Sequence, residues 1–130
     1  MSKRSIKFDI MIPPVTKKNH QRIVMNRNTG KPMVIPSKPY ETYEKNAGWF
    51  IRGDLRKLKI DKPVNVKCVY FMPNKRRVDL TNLLEATDDI LVKYGVLEDD
   101  NSRIIVSHDG SRVYVDEKHP RTEITISFYE

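Results

Sequence analysis

The chain has 130 residues, 38% of them hydrophobic and 32% charged, with a formal net charge of +7; that is enough for one core and too little for two catalytic modules or a repeat array. No stretch approaches the roughly 20 apolar residues of a membrane span, and the first ten residues, MSKRSIKFDI, alternate polar with apolar side chains and form no secretory signal. No membrane partner is therefore expected, and a cytoplasmic location is. The single cysteine, Cys68, excludes an internal disulfide and a multi-cysteine zinc site, while the basic balance favours a polyanionic partner, nucleic acid first.

Residues 6 to 12 alternate with Ile6, Phe8, Ile10 and Ile12 on one side, the period of a half-buried strand that Pro13 and Pro14 terminate. A polar, basic segment follows (Lys17, Lys18, Asn19, His20, Arg22). RIVMN and KPMVIP then flank RNTG, whose Gly30 can take positive φ, so a hairpin is expected, its second strand limited by Pro32 and Pro36. Ser37 can cap a helix that starts near Pro39 and runs to about Leu58. Its core arc would hold Tyr40, Tyr43, Ala47, Phe50, Ile51, Leu55 and Leu58, and its opposite side a basic stripe of Lys38, Lys45, Arg52, Arg56 and Lys59 beside Trp49. Gly53 is a point where that helix could break.

The run VNVKCVYFM, opened by Pro63, is apolar on both faces towards its end and reads as a central strand, with Cys68 a buried structural thiol. Residues 79 to 94 form the best segregated helix: Leu80, Leu83, Leu84, Thr87, Ile90, Leu91 and Tyr94 on one arc, Asn82, Glu85, Asp89 and Lys93 on the other, with Gly95 past its end. RIIVSHDGSRVYV reads as a strand, an Asp109-Gly110 turn and another strand, and TEITISFYE closes the chain. The expected architecture over 1–130 is a single α+β domain, a mixed sheet of about five or six strands with two main helices packed on it.

Chemistry concentrates around the second helix. Lys75, Arg76 and Arg77 stand immediately before Asp79, on a loop leading to a helix N-terminus, an arrangement suited to phosphate. Asp99 and Asp100 follow the same helix. Carboxylates converging in a basic protein repel unless a cation joins them, and Mg²⁺, a hard ion that takes oxygen ligands, is the natural candidate. A capping Asp79 and a plain acidic turn at Asp99-Asp100-Asn101 are the simpler readings of the same residues.

At these residues the sequence resembles the RusA family of Holliday junction resolvases. The resemblance takes in the proline-bearing first strand, the central strand ending FMPNKRR and, above all, VDLTNLLEATDDILVKYGVLEDD. The family pattern is a basic cluster, Asp-x-Asp-Asn, a lysine four residues after the second aspartate, an aspartate four residues further, then Gly and a final Asp-Asp. Asp79, Asn82, Asp89, Gly95, Asp99 and Asp100 match it with the same spacing, whereas Thr81 replaces the second aspartate and Glu85 the lysine. A carboxylate has thus moved along the helix.

The resemblance implies a homodimer that resolves four-way DNA junctions with Mg²⁺, or Mn²⁺ in its place. Its catalytic acids would be Asp79, Asp100, Asp99 and a relocated Glu85, its metal ligands Asp79, Asp99 and Asp100. Its DNA contacts would be Lys75, Arg76, Arg77, Lys17, Lys18, Asn19 and Asn82. The alternative is a RusA-like junction-binding protein that cleaves weakly because of Thr81 and Glu85. A basic RNA-binding domain ranks below both, since aromatic residues make up 8% and no glycine-aromatic strand signature is present.

Overall fold

The structure, a computed structural model, describes residues 4–17, 22–35 and 38–129, with the side chains of residues 22–24, 34 and 35 left aside. Its frame is a five-stranded mixed sheet built on β4 (Val64–Met72). On one side β4 pairs antiparallel with β7 (Arg121–Phe128), which pairs antiparallel with β1 (Ser5–Ile10). On the other side β5 (Ile105–Ser107) and β6 (Arg112–Val115) both run parallel to β4. A separate antiparallel hairpin joins β2 (Arg22–Met25) to β3 (Pro32–Ile35), as the RNTG turn predicts, with Gly30 at φ 69°.

The run 103–115 is therefore not a hairpin. β5 and β6 take successive stretches of the same β4 edge, and the Asp109-Gly110 turn between them is a sideways excursion. Asn65 holds that excursion: its Oδ1 accepts from the Asp109 N–H at 2.7 Å and its Nδ2 donates to the Asp109 carbonyl at 3.1 Å.

Alternation decides which face of the sheet is covered. Val64, Val66, Cys68 and Tyr70 on β4 are buried on the side where Ile124 and Ile126 of β7 and Phe8 and Ile10 of β1 also lie. Helix α2 (Leu80–Lys93) is the crossover that parallel pairing of β4 with β5 requires. It buries Leu83, Ala86, Thr87, Ile90 and Leu91 against this face, and full burial of each Leu or Ile contributes about 1.5–3 kcal/mol. The hydroxyl of Thr87 is satisfied. Tyr70 Oη and Thr87 Oγ1 are 2.7 Å apart, and Thr87 Oγ1 lies 2.9 Å from the Leu83 carbonyl, to which it can donate.

Helix α1 (Lys38–Ala47) is shorter than the periodicity predicts, and the capping position Ser37 lies outside the described residues. The chain tightens into a 3₁₀ turn at Gly48–Phe50 and, after a break, another at Leu55–Lys57. The reason is tertiary. The Tyr94 ring sits so close to Gly48 that any Cβ there would lie 2.6 Å from it, and Tyr94 Oη donates to the Glu44 carbonyl at 2.8 Å. Tyr40, Tyr43, Ala47, Ile51 and Leu55 are buried as expected, but Leu58 is exposed. The continuous basic stripe is likewise corrected: Arg56 turns back to the carbonyls of Gly48 and Ile51 and lies over the Tyr94 ring, while Arg52 pairs with Asp54. Trp49 remains 81% exposed.

The end of α2 is fixed by Gly95, whose φ of 79° and whose 2.3 Å approach of a would-be Cβ to the Arg56 carbonyl both demand glycine. Gly95 and Val96 carbonyls then accept from Lys59 and Ile60, tying the chain before β4 to the chain after α2.

Candidate functional site

The β4–α2 connection carries the cations. Asn74 Oδ1 accepts from the Arg76 N–H at 3.0 Å, shaping the loop, and Lys75, Arg76 and Arg77 are all exposed. Their side chains form no ion pair among the described residues, so their charge is open to a ligand. Between this loop and the segment leaving β1 runs a groove of about 190 Å³, lined by Pro14, Thr16, Asn74, Arg76 and Arg77 among others.

Asp79 stands at the N-cap of α2 with extended backbone (φ −88°, ψ 124°), yet its side chain does not cap the helix. Its Oδ2 instead accepts from Asn82 Nδ2 at 3.2 Å. Asn82, placed by periodicity on the polar arc, is in fact buried, and that burial directs its amide to Asp79. Glu85 is exposed with no ion pair or hydrogen bond among the described residues, and Lys93, about two turns further along, pairs with Glu44 of α1. Thr81 is exposed as well.

Two further carboxylates on α2 are engaged from outside the helix. Lys17 Nζ lies 2.6 Å from Asp89 Oδ2 and 5.7 Å from the Tyr40 ring centroid. Asp88 Oδ2 meets His108 Nε2 at 3.0 Å, while His108 Nδ1 lies 2.8 Å from the Val66 carbonyl. A carbonyl only accepts, so Nδ1 carries a proton. With Asp88 ionised Nε2 carries one too, making the ring an imidazolium. Its bond to Asp88 is the main cause that raises the His108 pKa above its ordinary value. Burial raises Asp88 in turn, outweighing the opposing pull of His108, and its Oδ1 is buried with no hydrogen-bond partner among the described residues. These two pairs escaped sequence reasoning; nothing in the local pattern joins residues 17 and 89 or 88 and 108.

Beyond α2, Asp99 Oδ2 accepts from Asn101 Nδ2 at 2.9 Å and Asp99 Oδ1 from the Asp100 N–H at 2.8 Å, and these two bonds, the Asn101 one foremost, hold its carboxyl below the ordinary value. Asp100 shifts the other way. Partial desolvation comes first, followed by its contact with Asp99 and the charges of Asp89 and Asp99. Of the α2 acids acting on Asp100, Asp89 thus contributes, whereas Asp79 opens the helix about 15 Å earlier along the axis.

Among the described residues no group of three or more His, Cys, Asp or Glu side chains stands close enough to hold a metal ion. The donor set does fit a looser arrangement. Asp100 is an exposed carboxyl raised in part by neighbouring negative charge, and a hydrated Mg²⁺ needs only one or two carboxylates, keeping water at its other positions. Lys18 and Asn19 lie outside the described residues.

The class the fold defines is a small α+β protein, a mixed sheet with a crossover helix that carries exposed cations before its start and acids along its length. The chain belongs to the family described as Endodeoxyribonuclease RusA, whose sequence model matches residues 12–127. It is 32% identical over 59 residues, 45% of this chain and 47% of the relative, to "Crossover junction endodeoxyribonuclease RusA" of Aquifex aeolicus (strain VF5). It is 35% identical over 60 residues, 46% of this chain and 50% of the relative, to "Crossover junction endodeoxyribonuclease rusA" of Enterobacteria phage 82. The matches span about half the length of these relatives. Among the described residues no helix is long and apolar enough to cross a membrane.

Proposed function

We propose that this chain is a structure-selective endodeoxyribonuclease that resolves four-way DNA junctions in the cytoplasm as a homodimer, with Mg²⁺ or Mn²⁺ as cofactor. The observation that carries this reading is the charge pattern along α2: free cations on the loop at its start, and further along an acidic cluster in which Asp100 feels the charge of Asp89. Family membership and the names of the relatives support it.

Lys75, Arg76 and Arg77 hold the phosphate backbone without reading bases, while Lys17, bound to Asp89, reaches DNA only where that pair opens. Asp100, Asp99 and Asp79 are the residues that would hold the metal, with Glu85 contributing the carboxylate that Thr81 lacks. When bound, such an ion supplies Lewis acidity at the phosphate and makes water a competent nucleophile near neutral pH. Asn82 fixes the orientation of Asp79 through its amide. Hydrolysis breaks a phosphorus–oxygen bond, adds the elements of water and leaves one phosphate monoester and one hydroxyl on each cut strand. Two-fold symmetry of the protein would match that of the junction, giving paired cuts.

A second reading, a junction-binding protein with weak cleavage, rests on Thr81 and Glu85, which stand where the family pattern has an aspartate and a lysine. The two separate on a synthetic four-way junction. Nicking in Mg²⁺ or Mn²⁺ that EDTA abolishes supports the nuclease, while binding that persists in EDTA without nicking in either metal supports the binder. Glu85→Gln tests the relocated carboxylate: unchanged metal binding and cleavage would remove Glu85 from the site.

A further inference from the structure

β6 ends the sheet on one side, and its four residues, Arg112–Val115, are all exposed. Val113, Tyr114 and Val115 form a short apolar row with no lysine, proline or bulge within it, the devices that usually protect a free edge. The register shows which backbone groups are free. Asp116 N–H donates to the Met72 carbonyl, and Arg112 and Tyr114 oppose Val69 and Phe71. By strand alternation, Arg112, Tyr114 and Asp116 turn their backbone groups towards β4, leaving those of Val113 and Val115 turned outward. Among the described residues no strand pairs with that outer edge.

The edge is complementary to itself. Two copies laid antiparallel about a two-fold axis at Tyr114 bring Val113 of each opposite Val115 of the other, the two positions whose N–H and C=O groups are free. The same register sets Arg112 against Asp116 of the partner. Arg112 is exposed with no ion pair among the described residues, whereas Asp116 takes the Lys118 and His119 N–H groups on Oδ1 and Arg121 Nη1 on Oδ2 at 3.0 Å, which leaves one Oδ2 lone pair for a second guanidinium. Tyr114 meets its own symmetry mate on the sheet face where it already stacks on Phe71, with ring centroids 5.5 Å apart.

We propose that β6 is the seam of a homodimer, two copies joining edge to edge about Tyr114 to make one continuous sheet. This deepens the dimer in the reading above and rests on it. Tyr114→Cys tests the register, because directly opposed residues at such a position have Cα atoms about 4.5 Å apart, within disulfide range; the native Cys68 is buried and does not compete. Val115→Pro tests the hydrogen bonds, since it removes an outward N–H and leaves pairing with β4 intact. Sedimentation equilibrium of the full chain should show a dimer that Val115→Pro weakens by about tenfold or more, with unchanged circular dichroism, and Tyr114→Cys should oxidise to a covalent dimer. A dimer that neither cross-links through position 114 nor responds to Val115→Pro overturns the seam while sparing the dimer. A monomer at every concentration overturns both.

Discussion

The Lys17 ammonium lies 2.6 Å from Asp89 Oδ2, joining the segment that leaves β1 to the middle of α2 across 72 residues of sequence. It places a positive charge on the acidic face of the helix, where Asp89 also acts on Asp100 and Asp88. Both side chains are 31% exposed, so solvent screens the pair and its net worth is modest.

A double-mutant cycle measures that worth. Lys17→Met and Asp89→Asn, alone and together, should show a coupling of about 0.5–1 kcal/mol in urea unfolding. Zero coupling would make the contact incidental. Lys17→Met should also raise affinity for a divalent cation, read by calorimetry, because the competing ammonium is gone.

The His108–Asp88 pair sets a pH dependence. Both groups have folded pKa values raised above their unfolded ones, His108 by its bond to Asp88 and Asp88 by burial. A raised group binds protons more tightly when folded, so its stabilisation is complete below the unfolded pKa and disappears as pH rises through the folded value. For His108 that loss begins above about pH 6.5. Denaturant unfolding at pH 6 and pH 8.5 should find the protein less stable at the higher pH, with a smaller difference in His108→Gln. A difference unaltered by the substitution would assign it to other groups.

Gly95→Ala should destabilise the fold by about 2 kcal/mol or more, since a side chain there meets both an unfavourable φ and the Arg56 carbonyl. Thermal unfolding checks it, and Gly53→Ala, which has open space around it, is the control.

Arg76 and Arg77 should contribute to DNA affinity through phosphate alone. Changing both to Gln should weaken binding to all DNA sequences alike and lower the salt slope of log K by about 2. A change confined to particular sequences would point to base contacts instead.

Periodicity made β1, β4, α2 and β7 legible because each buries one face on the same core, and local spacing reports such a face directly. The overrun of α1 past Ala47 came from a cause that no local pattern holds, the Tyr94 ring packed on Gly48. In the 103–115 stretch the two strands and the turn are as read, while the partner that both strands take, β4, is nowhere in the local pattern. In the site, the basic loop and the acid doublet were visible as composition at fixed spacing. The inward turn of Asn82 and the partners of Asp88 and Asp89 were not, because they depend on which elements meet in space.

The central proposal is that hydrolysis requires both Asp79, at the start of α2, and Asp100, beyond its end. Its most direct measurement is cleavage of a synthetic four-way junction in Mg²⁺ by the unaltered chain, Asp79→Asn and Asp100→Asn, with linear duplex as control and junction binding measured in parallel. The account predicts that each substitution abolishes nicking of the junction while binding persists. Nicking at an undiminished rate by both variants would contradict it.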